Sequence, residues 1–294
     1  MFKHILALLD GSPCSERTLN LAATVARVFN AEVTLLCVVE DKDSAADEQF
    51  PASLTQASAY LDRVAHHLAE YGLSKVKTEV KKGRATEVVP TAARSGYDLV
   101  VLNTRVICDT YRHTGVMKRM LGSVAQSLVR STQVPLLMVG NYGSVARYSK
   151  PGFSFERILV PLDGSLLAEQ ALPLALGFAK ASGCSLFLFM VRGPAASQSA
   201  AAAWDEATPS RYLEVVAARY KGDGVRISSA AREGKPALDI SAAASALDCD
   251  LIVMATHGNV GAEGLNADPA SVTEQVVIKS SVPILLLRGQ EKES

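Results

Sequence analysis

The sequence constrains the fold most strongly through an internal duplication. Residues 5–12 read ILALLDGS and residues 158–165 read ILVPLDGS, so that six of eight positions are identical. The offset between matching residues drifts by only a few positions through each half, from 153 for Asp10 and Asp163 to 148 for Ser123 and Ser271. A long repeat with small loop changes predicts two copies of one domain in tandem.

The segment between the two copies is typical of a linker. Residues 140–155 contain three glycines and one proline and show no apolar periodicity. We therefore predict a first domain over residues 1–140, a linker over 141–155 and a second domain over 156–294. The chain has 294 residues, of which 48% are hydrophobic, and this is enough for each copy to build its own core.

Each copy alternates predicted strands and helices. The strands are predicted at residues 5–9, 32–39, 76–80, 98–102 and 134–139, and in the second copy at 158–162, 185–191, 225–230, 250–254 and 282–287. One Ala/Leu-rich helix is predicted after the first strand of each copy, over about 15–29 and about 167–182. Apolar strands separated by helices indicate parallel sheets that are buried on both faces. We therefore predict the α/β fold class, with two tandem doubly wound five-stranded parallel sheets.

Composition and charge exclude several classes of protein. Lysine plus arginine and aspartate plus glutamate both number 30, so the chain has no uniformly basic surface for nucleic acid. No apolar run approaches the ~18 residues of a membrane helix, and the five cysteines lack metal-binding spacing. We expect a cytoplasmic protein. Residues 1–150 carry 18 basic and 14 acidic residues (+4) and residues 151–294 carry 12 and 16 (−4), which favours the first copy as host for an anion.

Polar residues follow the first predicted strand of each copy. Doubly wound folds bind ligands outside the carboxyl ends of their strands, where the strand order reverses. Asp10 and Asp163 lie at such ends, and two roles are open to them: orienting a ribose or adenine, or accepting amides of the following turn and capping the helix that follows. Ser12 and Ser165 are predicted to cap the next helices rather than to act as nucleophiles, because neither has a His or acid partner in a motif.

Several motifs occur in the same order in both copies. They are ILALLDGS at 5–12, YDLVV at 97–101, MLGSVA at 120–125 and VPLLMV at 134–139, with DLIVMATHG at 250–258 in the second copy. This combination resembles the universal stress protein family in its tandem two-domain form. The resemblance implies a Rossmann-like fold of the adenine-nucleotide alpha hydrolase type, a pseudo-twofold relation between the copies, and a role in the stress response. We also expect the last strands, 134–139 and 282–287, to pack against each other.

The resemblance also implies a nucleotide site in the first copy. ATP-binding members of the family carry Gly-x2-Gly-x9-Gly-Ser/Thr before the last helix, where backbone N–H groups approach the phosphates. The first copy keeps the final Gly-Ser but places Arg112, within a basic loop, where the second glycine belongs. These basic side chains could bind phosphates in place of amides, form a solvated rim, or contact the acidic second copy. The implied nucleotide-binding residues are Asp10, Val38, Arg112, Gly122, Ser123 and Val124.

The second copy departs from the motif in a different way. Ala255 replaces the first glycine, Gly258 is kept, and the following loop carries Glu263 and Asp268. These carboxylates would bring negative charge toward a phosphate, so we expect the phosphate-bearing ligand in the first copy. The implied nucleotide-binding residues of the second copy are Pro161, Asp163, Val191, Ala255, Gly258, Ser271 and Val272.

The function implied by the resemblance is that of a regulator or sensor that binds adenine nucleotide. Mg²⁺ would accompany the phosphates if ATP binds. The alternative is an interaction scaffold whose degenerate sites have lost nucleotide. Enzyme activity beyond weak ATP hydrolysis is not expected, because the sequence shows neither a positioned base nor a carboxylate cluster for a metal. Protein partners and a homodimer are left open.

Overall fold

The computed structural model describes residues 1–40, 51, 53–70, 72–104, 107–108, 119–140, 147–148, 150, 153–193, 208–256 and 272–289. The chain divides into two compact units, Met1–Phe153 and Ser154–Ser294. Each unit is an α/β domain with its own sheet and its own buried apolar core.

The first unit alternates strands and helices along the chain. Its strands are β1 (His4–Leu9), β2 (Glu32–Val39), β3 (Val76–Lys82), β4 (Leu99–Asn103), β5 (Ile107–Cys108), β6 (Arg119–Met120) and β7 (Leu136–Val139). Its helices are α1 (Pro13–Glu16), α2 (Leu19–Phe29), α3 (Leu54–Glu70), α4 (Ala85–Ala93) and α5 (Ser123–Ser131). The short strands β5 and β6 pair antiparallel with each other, and the sequence analysis did not predict them.

The five longer strands of the first unit form one parallel sheet in the order β7-β4-β1-β2-β3. Ile5, Leu35 and Val100, on three adjacent strands, are 0% exposed. Helices cover both faces of such a sheet, which explains why these strands are apolar throughout rather than alternating. β3 differs from these strands: it is half-buried to exposed along its length, and it carries Lys77, Lys81 and Lys82.

The second unit repeats this arrangement. Its strands are β8 (Arg157–Pro161), β9 (Ser185–Arg192), β10 (Ile227–Glu233), β11 (Leu251–Thr256) and β12 (Ile284–Arg288). Its helices are α6 (Leu166–Glu169), α7 (Ala171–Ser182), α8 (Thr208–Arg219), α9 (Pro236–Ala246) and α10 (Val272–Lys279). The strands form a parallel sheet in the order β10-β9-β8-β11-β12. The predicted fold class, two doubly wound five-stranded parallel sheets in tandem, is confirmed.

The prediction of one helix after the first strand of each copy, over 15–29 and 167–182, was wrong. Both helices are broken in two, into α1 and α2 and into α6 and α7. In the second unit Pro173 has no N–H to donate to the carbonyl of Glu169, and its ring would clash with that carbonyl in a continuous helix. In the first unit the Thr18 hydroxyl donates to the Ser15 carbonyl at 2.7 Å and closes the turn between the two helices.

Two aspartates that the sequence analysis placed inside strands instead tie strands together. Asp98 precedes β4, and its Oδ2 accepts from the backbone N–H groups of Lys3 at 2.7 Å and His4 at 2.9 Å. Asp250 precedes β11 and accepts in the same way from Glu156 and Arg157, at 2.7 and 3.0 Å. Each carboxylate therefore anchors the start of the first strand of its unit to the start of the fourth.

No helix among the described residues is long and apolar enough to cross a membrane. Among the described residues, Cys14, Cys37, Cys184 and Cys249 form no disulfide bond. Within that part, no group of three or more His, Cys, Asp or Glu side chains could hold a metal ion.

Candidate functional site

The reversal of strand order identifies the ligand edge of the first unit. β1 pairs with β2 on one side and with β4 on the other, so the chain runs outward from β1 through β2 to β3 and then crosses back to β4 on the opposite side of β1. A crevice at the carboxyl ends of the strands is expected at this point in doubly wound folds. Asp10 directly follows β1 there, and Asn103 ends β4.

Asp10 is held in place by the turn that it begins. Its Oδ1 accepts from the Ser12 backbone N–H at 2.9 Å, and Gly11 takes a φ of 83° that only glycine adopts without strain. The Ser12 hydroxyl accepts from the Ser15 N–H at 3.2 Å and caps α1. The predicted capping role of Ser12 is therefore confirmed, and Asp10 accepts a turn amide rather than capping the helix itself.

The start of α5 lies beside the carboxyl end of β4. The Gly122 N–H donates to the carbonyl of Thr104, the residue after β4, at 3.0 Å. Gly122 is the N-cap of α5 and has no side chain to accept from the first N–H groups of the helix. Ser123 is exposed and Val124 is half-buried. This helix end therefore presents amide donors and a hydroxyl, the groups that bind an anion.

The structure describes only one of the two remaining residues implied for the first copy. Val38 is half-buried near the carboxyl end of β2. Arg112 lies outside the described residues. The structure thus brings Asp10, Val38 and the start of α5 to one edge of the sheet.

The second unit has the same turn after its first strand. The Oδ1 of Asp163 accepts from the Ser165 N–H at 2.9 Å, and the Ser165 hydroxyl caps α6 by accepting from Ala168 N–H at 3.1 Å. The predicted cap at Ser165 is confirmed. The turn has the same geometry as in the first unit, because the hydrogen bond that the aspartate accepts is 2.9 Å long in both.

The other residues implied for the second copy are spread over the same edge. Pro161 is buried at the end of β8 and Val191 is half-buried on β9. Ala255, in β11, is 9% exposed, and Val272, the first residue of α10, is 41% exposed. Gly258 and Ser271 lie outside the described residues.

A buried thiol lies near the ligand edge of the first unit. Cys37, in β2, is 1% exposed. Burial, and secondarily the negative charge of Asp10, raises the pKa of the Cys37 thiol to about 11. Cys37 is therefore protonated at neutral pH and is not a nucleophile, because the thiolate is the reactive form.

Sequence reasoning missed two pairs of polar residues beside these aspartates. Glu16 and Tyr60 in the first unit correspond to Glu169 and Tyr212 in the second, at offsets of 153 and 152. The signal was present, since YLDRVAHH at 60–67 matches YLEVVAAR at 212–219 at four of eight positions. The electrostatic influence of Asp10 on Tyr60, and of Asp163 on Tyr212, places both pairs near the aspartates.

The fold and the edge define a class: a tandem-repeat α/β protein with a Rossmann-like ligand edge in each unit. The model of the Universal stress protein family matches residues 1–140 and 154–288. These segments include nearly the whole chain, and the protein belongs to this family.

Individual relatives agree with this assignment. A universal stress protein of Methanocaldococcus jannaschii is 28% identical over 147 residues, which are 47% of this chain and 85% of that protein. The crystal structure of a universal stress protein from Archaeoglobus fulgidus is similar over 97% of this chain and 98% of that one, with a TM-score of 0.73 and 19% identity. At this identity the second likeness shows the fold alone.

Proposed function

We propose that this universal stress protein is a cytosolic regulator or sensor of the stress response that binds adenine nucleotide through its first unit. The ligand would lie at the carboxyl edge of the first sheet, with its phosphates at the start of α5 and its nucleoside between Asp10 and Val38. Mg²⁺ would arrive with the phosphates of ATP. The proposal rests on one observation. Asp10 and the start of α5, at Gly122 and Ser123, lie at the edge where the strand order reverses, and no side chain caps this helix start.

The groups at this edge fit the parts of a nucleotide. A carboxylate accepts from ribose hydroxyls or from the adenine amino group, whereas amides and a serine hydroxyl donate to phosphate oxygens. Glycine at the N-cap lets a phosphate approach the backbone because there is no Cβ in the way. The macrodipole of the nine-residue helix α5 adds an attraction for anions at the same point.

Charge favours the first unit over the second. In the sequence, the segment before α5 contains Arg112, Lys118 and Arg119, whereas the segment before α10 contains Glu263 and Asp268. Two like charges ~4 Å apart repel by about 4 kcal/mol at an effective dielectric constant near 20, and side chains that turn away reduce this value. This difference in sequence charge supports the first unit as the host of the phosphates.

The two matched aspartates allow a controlled test. Asp10→Asn and Asp163→Asn remove the same charge from the same turn, in which each aspartate accepts a backbone N–H at 2.9 Å. Isothermal titration with Mg-ATP should show binding to the intact chain that Asp10→Asn weakens about tenfold, since a charged hydrogen bond is lost. Asp163→Asn should leave the affinity unchanged.

Three results would refute the proposal. They are the absence of Mg-ATP binding to the wild-type chain, equal losses in both variants, and a loss in Asp163→Asn alone. The first result would favour the interaction scaffold without nucleotide.

A further inference from the structure

The second unit contains a closed polar cluster between α6 and α8. The Tyr212 hydroxyl donates to Glu169 Oε1 at 2.9 Å, and Arg219 Nη1 lies 2.6 Å from Glu169 Oε2. The Glu169 side chain is only 16% exposed. Each carboxylate oxygen therefore has a donor, and the guanidinium of Arg219 balances the charge.

The first unit repeats the carboxylate and the phenol of this cluster but not the guanidinium. Glu16 and Tyr60 occupy the positions of Glu169 and Tyr212, while His67 stands where the repeat has Arg219. His67 interacts instead with Glu70, at 3.8 Å on the same helix. Within the part of the chain that the structure describes, no cation lies within 4.0 Å of Glu16 in an ion pair.

The Tyr60 hydroxyl shows that the cluster of the first unit is incomplete. Tyr60 is 7% exposed, and its hydroxyl has no hydrogen bond of acceptable length and angle to any described residue. Burial, and then the nearby charge of Glu16, raises the pKa of the phenol, so the hydroxyl remains a donor at neutral pH. Glu16 and Ser15 lie close enough to this hydroxyl to affect its pKa, so the carboxylate is within reach of the donor. A buried donor without a partner is costly and rare.

We propose that Glu16 and Tyr60 form a binding site in the first unit for a guanidinium group supplied by a ligand, in the place that Arg219 fills in the second unit. The guanidinium would donate to one oxygen of Glu16. The other oxygen would then accept from the Tyr60 hydroxyl, as Glu169 accepts from Tyr212. This site does not depend on the proposed nucleotide binding, because it uses neither Asp10 nor the start of α5 as a ligand contact.

Arg63 supplies a guanidinium of the chain itself close to Tyr60. It lies over the face of the Tyr60 ring, 5.9 Å from the centroid, and its place in the second unit is taken by Val215. It contacts the ring rather than Glu16, as the absence of an ion pair between these two described residues shows. The Arg63→Ala variant therefore tests whether the ring contact and the carboxylate site are separate.

The probe is L-argininamide, with lysinamide as its matched control. In NMR titrations of the intact chain, the Tyr60 ring signals, assigned through Tyr60→Phe, should shift with argininamide and much less with lysinamide, because only guanidinium has the planar fork that fits a carboxylate. Glu16→Gln should weaken argininamide binding about tenfold through loss of the charged acceptor. Glu169→Gln should leave it unchanged, and Arg63→Ala should retain it.

His67→Arg gives an independent readout. This change rebuilds the second-unit cluster in the first unit, so it should abolish the argininamide response and raise the thermal stability of the chain. The added thermal stability should disappear in the double variant His67→Arg/Glu16→Gln. His67→Lys should raise the thermal stability less than His67→Arg does. The His67 side chain is 61% exposed, so these changes do not disturb the core.

A second binding experiment identifies the source of the guanidinium. Acetyl-Gly-Arg-Gly-amide binding more tightly than argininamide would indicate an arginine side chain of a protein, and equal binding would indicate a small guanidine compound. The proposal is overturned if neither probe shifts the Tyr60 signals, or if Glu16→Gln responds to argininamide as the wild type does.

Discussion

Asp250→Ala should destabilise the second unit by about 3 kcal/mol. The Asp250 side chain is 0% exposed, and its Oδ2 accepts from two backbone N–H groups, at 2.7 and 3.0 Å. A hydrogen bond to a charged group contributes about 1.5–3 kcal/mol. The two bonds together contribute at least about 3 kcal/mol. This lower end of the range applies because Glu156 is exposed, so water can reach its freed N–H in the variant.

The repeat supplies the comparison for this prediction. Asp98 makes the same two bonds, at 2.7 and 2.9 Å, but is half-buried, so Asp98→Ala should cost about half as much. Glu156→Gln removes a neighbouring charge while keeping the backbone donor, and it serves as the control variant.

Amide hydrogen exchange of the intact chain measures the effect locally. About 3 kcal/mol corresponds to a loss of protection of about a hundredfold in β8 when opening is global within the unit, with β1 unaffected. The reasoning is refuted if Asp250→Ala lowers the protection of β8 no more than Glu156→Gln does, or if Asp98→Ala is the more damaging of the two repeat variants.

Three further predictions concern other parts of the fold. Cys37 should resist iodoacetamide at pH 8 in the folded chain, because its pKa of about 11 leaves almost no thiolate, and alkylation as fast as in the unfolded chain would contradict this. Ser12→Ala should cost about 1 kcal/mol in urea unfolding through loss of the α1 cap, whereas an unchanged midpoint would show that the cap contributes nothing. Gly83→Ala should cost about 1–3 kcal/mol in the same assay because Gly83 has a φ of +134° and a Cβ there would lie 3.0 Å from Val88 Cγ2; Gly→Ala at a compatible position stabilises instead, so a raised midpoint would refute it.

The fold was predictable from the sequence because the repeat, the apolar strands and the family motifs all indicated the same architecture. The duplicated DGS motif gave the number of domains, and the apolar strands between helices indicated a parallel sheet. The ligand edge was predictable as well, since Asp10 comes directly after a strand and Gly122 directly before a helix, and doubly wound folds bring such positions to the carboxyl edge of the sheet. The resemblance to the universal stress protein family named the same fold.

The details that were missed depend on single residues or on distant pairs. Pro173 breaks the first helix of the second unit, a position-specific effect that the Ala/Leu-rich composition concealed. Asp98 and Asp250 were assigned to strands because apolar residues follow them, although their carboxylates accept from the first strand. Tyr60 was not singled out, because sequence spacing alone does not show which carboxylate lies near a buried hydroxyl.

The central claim, that the first unit binds adenine nucleotide, is tested most directly by native mass spectrometry of the intact chain with Mg-ATP. We expect one nucleotide per chain in the wild type and in Asp163→Asn, and a strongly reduced bound fraction in Asp10→Asn. A wild-type chain that carries no nucleotide, or a bound fraction that falls in Asp163→Asn but not in Asp10→Asn, would contradict it.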